Sequence, residues 1–226
     1  QKKIIHLCRR AGKPVTVATQ ILESMVFNPT PTRAEASDLA NAVYETADTV
    51  MLSAESATGK YPVEAVKIMD RIIRHVEQDQ ADRNDGHTSS HFPEHTITDA
   101  ISIAVHHSSK ALKAKAIIVF SLSGSTALSA ARERPESPIL ALTPRVATAR
   151  FLNMCWGVHP TITRQPVDFK HAAKEAVRQA QLYELVKPGE CILVTAGLPE
   201  DIRDDAPIFV SGSTNFIQVV EIKDER

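Results

Sequence analysis

Three short stretches of this chain concentrate hydroxyl groups where they could handle phosphate. Thr19 follows the apolar run Val15–Ala18, and the loop Ser53–Lys60 (SAESATGK) follows the apolar run Thr49–Leu52. A third stretch, Ser121–Thr126 (SLSGST), follows Ala116–Phe120. Just past the strand ends of a parallel α/β protein, hydroxyls and backbone N–H groups meet at helix N-termini, where an anion is favoured. Thr19 and the Ser53–Lys60 loop would share the mouth at which barrel enzymes place their chemistry, and loops after the last barrel strands often hold phosphate. Spacing alone leaves plainer readings open: a strand-end threonine satisfying its own neighbours, and a serine-capped βα turn.

Other clusters read as ordinary surface. His87, His91 and His95 are spaced by four, as on a metal-binding helix face, but Gly86 and Pro93 interrupt any helix there. A solvated linker is expected, with no metal site on this chain. Arg132, Arg134 and Arg145 are offset by Glu133 and Glu136 and read as a solvated face. His106 and His107 should turn one ring inward and one outward. Cys8, Cys155 and Cys191 are scattered, odd in number and without a CxxC spacing. That pattern fits a reducing compartment, with a cytoplasmic location expected.

Composition narrows the classes. The 226 residues allow one large domain or two small ones. Apolar residues make up 43% and charged residues 23%, which argues against disorder or a collagen-like chain. A net charge of −1 with no strongly basic window gives no nucleic-acid footprint. The longest apolar run, around Ala116–Phe120, is far too short to span a bilayer, so no membrane partner is expected.

The elements that must position the hydroxyl loops follow from periodicity. Ile4, Ile5, Leu7, Cys8 and Ala11 fit the buried stripe of a helix stopping at Gly12. The chain does not begin with Met and opens as if inside a helix, so further sequence upstream is expected. Val15–Ala18 reads as a strand. Two prolines in Asn28–Pro31 forbid regular structure, and Thr32 is a plausible N-cap for a helix carrying Ala36, Leu39, Ala40 and Val43. Thr49–Leu52 is a second strand. Pro62 suits the first helical position before the stripe Val63, Val66, Met69, Ile72, Ile73 and Val76.

Strands apolar on both faces belong in covered parallel sheets. Residues 1–80 supply two such strands, whereas a closed parallel barrel needs eight, so this segment reads as the C-terminal portion of a TIM-type (β/α)8 barrel. The polar stretch Gln78–Glu94 reads as a connection, with the linker placed at 81–95. Residues 96–226 form a second α/β domain with a mostly parallel sheet. Its expected strands are Ala116–Phe120, Pro138–Leu142, Val158–Thr163, Cys191–Ala196 and Phe216–Ile222, the last two antiparallel. Its expected helices are Thr96–Ala111, one ending near Arg132, Pro144–Leu152, and a longer one with Phe169, Ala173, Ala176, Val177, Ala180 and Tyr183 on one face.

At this point the residues carry a resemblance. Val17–Met25 (VATQILESM), Asn28–Glu35 (NPTPTRAE) and Asp38–Val43 (DLANAV) are similar to the stretch after the seventh barrel strand in pyruvate kinases. Asp48–Pro62 (DTVMLSAESATGKYP) resembles that family's eighth strand and following loop. Together they cover most of residues 14–66, a long and ordered match; Ile21, where many relatives have Met, is a conservative departure. The resemblance implies phosphoryl transfer from phosphoenolpyruvate to ADP, with Mg²⁺ and K⁺, in an allosteric homotetramer of glycolysis. It implies that Thr19 lies beside the substrate, assisting enolate protonation or phosphoryl transfer. Ser53, Glu55 and Lys60 would border the nucleotide region. The family's catalytic lysine and metal carboxylates come from earlier strands, whose motifs are absent here, so this chain alone is expected to be inactive.

Ser121, Leu122, Ser123, Gly124, Ser125 and Thr126 are similar to the loop that holds a sugar-phosphate effector in many pyruvate kinases. Ser211, Gly212, Ser213, Thr214 and Asn215 resemble the segment that closes over it. Members that respond to fructose 1,6-bisphosphate carry a tryptophan and an arginine before the long helix. Here Arg164–Lys174 is shorter and has no tryptophan. The loop Gly197–Val210 adds Glu200, Asp201, Asp204 and Asp205, which would repel a bisphosphate unless Arg203 offsets them. A hexose or pentose monophosphate, or AMP, therefore stands level with fructose 1,6-bisphosphate. Two other readings compete: a non-catalytic effector-binding module, and an unrelated nucleotide-binding α/β protein. The first would leave two strands unburied, and the second lacks a glycine-rich fingerprint.

Overall fold

A computed structural model of the chain describes residues 1–82, 96–199 and 209–223. The chain divides into two compact units, residues 1–90 and 91–226.

The first unit begins with α1 (Lys2–Arg10), followed by β1 (Thr16–Ala18), α2 (Arg33–Tyr44), β2 (Thr49–Met51), α3 (Ala54–Ala57) and α4 (Pro62–Asp82). β1 and β2 pair in parallel, with Thr16 beside Thr49 and Ala18 beside Met51. Two side-chain contacts fix that register: the Val15 N–H donates to Asp48 (2.9 Å), and the Thr16 and Thr49 hydroxyls lie 2.6 Å apart. α2 starts as the sequence predicts. Thr32 caps it, with Glu35 completing a capping box. Leu22, Met25, Leu39, Ala65 and Met69 form the core between the strand pair and α2 and α4.

Two predicted stripes are corrected. Of the α1 residues expected inside, Ile5 is buried, whereas Ile4 and Leu7 are exposed. On α4 the buried line runs through Ala65, Met69 and Val76, and Val63 and Val66 face outward. α4 also continues through Asp82, so Gln78–Asp82 is helical rather than part of a connection. The Tyr44 hydroxyl donates to Asp79 there (2.5 Å) and ties this end to α2. His87, His91 and His95 lie outside the described residues.

The second unit contains α5 (Ile97–Leu112), β3 (Ala116–Phe120), α6 (Ser125–Arg132), β4 (Ile139–Thr143) and α7 (Val146–Leu152). β5 (Val158–Ile162), α8 (Phe169–Leu182), β6 (Cys191–Ala196) and β7 (Phe216–Glu221) complete it. The sheet order is β5-β4-β3-β6-β7, with β7 antiparallel to β6 and the rest parallel. Every residue of β3 and β4 is buried, because helices cover both faces. Ile118, Phe120, Leu140 and Val194 pack on Ala172, Ala176 and Ala180 of α8. Ile117, Val119 and Ile139 face Val105, Ala127 and Leu152 of α5, α6 and α7. This alternation is the period-2 pattern of a sheet buried twice.

The buried line of α8 is Ala172, Ala176, Gln179 and Ala180, while Phe169 and Tyr183 keep 40% and 47% of their surface exposed. Small alanines let the helix lie close to the sheet, while the Phe169 ring meets Phe216 of β7 at 5.6 Å and the Tyr183 hydroxyl bonds Thr161 of β5 at 3.0 Å. The arginine surface also needs correction. Arg145 is exposed, but Arg132 is buried and paired with Asp99 and Glu133, both buried themselves. Arg134 stacks over the Trp156 ring at 4.9 Å. His106 is half-buried and His107 exposed, as expected. Burial first, and His107 next, push the His106 pKa below the ordinary histidine range. None of Cys8, Cys155 and Cys191 is in a disulfide.

Candidate functional site

Two loop clusters, one in each unit, gather the hydroxyls singled out above. In the first unit the parallel register sends Thr19 and Ser53 off the same edge of the strand pair. Thr19 is exposed and takes φ +69, and Gln20 follows at φ +54. A β-branched residue in the left-handed region is strained, and such strain collects at functional sites. The Thr19 hydroxyl donates to the Ala18 carbonyl at 2.6 Å. A 3₁₀ turn at Glu23–Val26 then folds the loop back.

The Ser53–Lys60 stretch, read as a loop, contains the single helical turn α3. Gly59 is required beside it, since a Cβ there would sit 2.6 Å from the Glu55 carbonyl oxygen. Ser53 is exposed at the mouth, and Lys60 extends 6.0 Å above the Phe27 ring. Glu55 turns inward. It is 2% exposed and accepts from the Ser53 N–H (2.7 Å) and the Leu22 N–H (3.3 Å).

Glu35 holds the same region from α2. Its carboxylate accepts from the Ser24 N–H and hydroxyl (2.7 and 2.5 Å) and from the Thr32 N–H and hydroxyl (2.8 Å each). Burial works to raise its pKa, but the bonds from Ser24 and Thr32 prevail and lower it to about 2. Periodicity does not single out Glu35, which the sequence reading names only within the resemblance; its reach to Ser24 is nonlocal and leaves no local signal.

In the second unit Ser121–Thr126 joins β3 to α6. Gly124 takes φ +94, and no side chain caps α6. Its first N–H groups therefore remain available to an anion. The Ser121 hydroxyl is engaged by the Gly124 N–H (3.0 Å), and the Leu122 carbonyl accepts from the Thr148 hydroxyl (2.9 Å). Ser123 and Ser125 bring their hydroxyls within 3.1 Å of each other, with Ser123 exposed. Thr126 is buried and receives the Thr214 hydroxyl at 3.0 Å.

That last contact brings the second predicted segment to the first. Ser211 and Gly212 are exposed, and Asn215 bonds Leu198 through both side-chain atoms (2.7 and 3.0 Å). The backbone passes so close that a Cβ on Gly197 would lie 1.9 Å from the Ser213 carbonyl oxygen. Beside the loop, Leu122, Thr163, Arg164, Gln165 and Phe209 line a small hollow, with room for about one water, at the C-terminal edge of the sheet. Gln165 donates to the Phe209 carbonyl (3.0 Å), and the Phe209 ring stacks on Phe120 at 4.7 Å. Phe209 and Thr163 were not singled out from sequence, because what recruits them is sheet order. Glu200, Asp201, Arg203, Asp204 and Asp205 lie outside the described residues.

Among the described residues no group of three or more His, Cys, Asp or Glu side chains could hold a metal ion. Among them, too, no helix is long and apolar enough to cross a membrane.

The architecture is thus a two-unit α/β protein, with a parallel strand pair followed by a sheet wound on both faces. The family model described as "Pyruvate kinase, barrel domain" matches residues 1–66, and that described as "Pyruvate kinase, alpha/beta domain" matches residues 99–220. A pyruvate kinase of Methylorubrum extorquens is 44% identical over all of this chain and 45% of its own length. One from Clostridium acetobutylicum is 41% identical over 98% of this chain and 46% of its own. The crystal structure of a pyruvate kinase from Cryptosporidium parvum superposes with a TM-score of 0.82, at 31% identity, over 97% of this chain and 42% of that one. The chain belongs to the pyruvate kinase family. It spans under half the length of these relatives.

Proposed function

We propose that the chain is part of a cytoplasmic pyruvate kinase that transfers the phosphoryl group of phosphoenolpyruvate to ADP. The observation that carries this reading is Thr19, held at φ +69 on the strand edge it shares with Ser53. A hydroxyl fixed there suits protonation of the enolate left when phosphoryl departs. Ser53 and Lys60 border the nucleotide, and Glu55 shapes their loop. Mg²⁺ and K⁺ would supply charge neutralisation of the transferring group. This reading assigns those ligands, with the catalytic lysine, to other barrel strands. The chain by itself is accordingly inactive.

In the second unit Ser121–Thr126 and Ser211–Ser213 form the pocket for a phosphate-bearing effector, a sugar phosphate or a nucleotide, in a homotetramer. The uncapped start of α6 beside Ser123 and Ser125 supports this. The test is pyruvate formation by the full-length protein supplied with phosphoenolpyruvate, ADP, Mg²⁺ and K⁺, with sedimentation reporting assembly. Turnover that responds to such an effector supports the reading. Effector binding without turnover favours a non-catalytic effector-binding module.

A further inference from the structure

The loop bearing Thr19 is gripped by two carboxylates from elsewhere in the first unit. Glu55 takes the Leu22 N–H, and Glu35 takes the Ser24 N–H and hydroxyl. The grips alternate along the backbone. They begin two residues beyond Gln20, where the strained pair Thr19–Gln20 ends. Backbone held in a sparsely populated region persists only where its surroundings over-determine it. Glu55 also takes the Ser53 N–H, so one carboxylate joins the loop after β1 to the loop after β2. Both of its bonds come from backbone N–H groups rather than from a cation. A carboxylate 2% exposed is costly unless its hydrogen bonds are well made.

We infer that Glu55 is a positioning residue of the phosphoryl-transfer site, fixing Thr19 relative to the Ser53 loop through the Leu22 and Ser53 N–H groups. The inference rests on the function proposed above. Glu55 does not face the substrate; it sets the separation of the two loops that do. A group carrying out chemistry tolerates little error, since a displacement of about 1 Å costs on the order of 10²-fold in rate. Glutamine has the same volume but one acceptor oxygen, so it can hold one of the two N–H groups and must turn its own NH₂ toward the other.

The test uses the full-length enzyme, beginning with pyruvate formation by the parent. Parent protein that folds but forms no pyruvate overturns the proposed function itself, and this inference with it. With an active parent, E55Q and E55D are compared in steady state and in exchange of the pyruvate methyl protons with deuterated water. That exchange reads proton handling separately from phosphoryl transfer. We expect E55Q to lose about 10²-fold in kcat with KM for phosphoenolpyruvate held within about two-fold, and methyl exchange to slow alongside. E55D keeps two acceptor oxygens on a shorter arm and should recover part of the loss. If E55Q does not fold, the kcat and exchange rate of E55D decide. A kcat of E55Q within about two-fold of the parent, or of E55D where only that variant folds, overturns the inference, as does a loss appearing in KM instead.

Discussion

Thr214 and Thr126 meet in a buried hydroxyl–hydroxyl hydrogen bond of 3.0 Å, 88 residues apart in sequence. The Thr214 N–H also donates to the Thr98 hydroxyl (3.2 Å). One threonine therefore joins the segment before β7 to the first turns of both α5 and α6. Thr214→Val or Thr126→Val alone strands a buried hydroxyl and should cost about 1–3 kcal/mol, while the double replacement should lie close to the parent. Denaturant unfolding through the complete cycle measures the difference.

Arg132 ties α6 to Asp99 of α5 and to the adjacent Glu133, and all three side chains are under a tenth exposed. Arg132→Met removes the cation and leaves two buried carboxylates without it. A loss of about 3–5 kcal/mol is expected in the second unit. Arg74, paired with Asp70 on an exposed face of α4, is the contrast. Arg74→Ala should leave the unfolding midpoint where it was, because exposed pairs contribute little.

Glu35 predicts an acid limb. Its folded pKa, about 2, lies below the ordinary 4.5, so the native state holds the deprotonated form more strongly than the unfolded chain does. The stabilisation is fully present above the unfolded value and fades as pH falls through 4.5 toward about 2. Urea unfolding of the parent and Glu35→Gln across that range should show a stability gap that is constant near neutrality and narrows on acidification. A gap independent of pH would count against the Ser24 and Thr32 bonds as its source.

Thr19 predicts a separation of stability from activity. A left-handed backbone costs an L-residue roughly 1–2 kcal/mol, and glycine escapes most of that. Thr19→Gly should therefore melt at the parent temperature or above it. In the full-length enzyme the same change should lower pyruvate formation by about 10²-fold or more, the scale of a lost proton-transfer group. Calorimetry and a coupled assay on one preparation read both quantities.

The strands were legible because their residues leave little choice. Ala116–Phe120 and Cys191–Ala196 appear as read, since short runs apolar on both faces suit a covered parallel sheet. The Thr32 cap, four residues of local chemistry, was equally plain. Helix faces were less so. Val63 and Val66 share a periodicity with Met69, but which side is covered depends on how α4 meets α2 and the strand pair. Arg132 looked solvated beside Glu133, and only the packing of α5 on α6 brings Asp99 to it. At the candidate site, hydroxyl positions past strand ends could be read from sequence. The inward turn of Glu55 could not, because its partners lie 2 and 33 residues away and depend on the pairing of two strands.

Trp156, stacked under Arg134, is the single tryptophan of the chain. The protein thus carries its own optical label, confined to one of its two units. Emission on selective excitation of this indole follows the second unit alone, whereas the far-ultraviolet signal of the helices sums over both. Wherever those two signals part company during unfolding, the units are losing structure separately. The order in which they do so can then be read without attaching a dye.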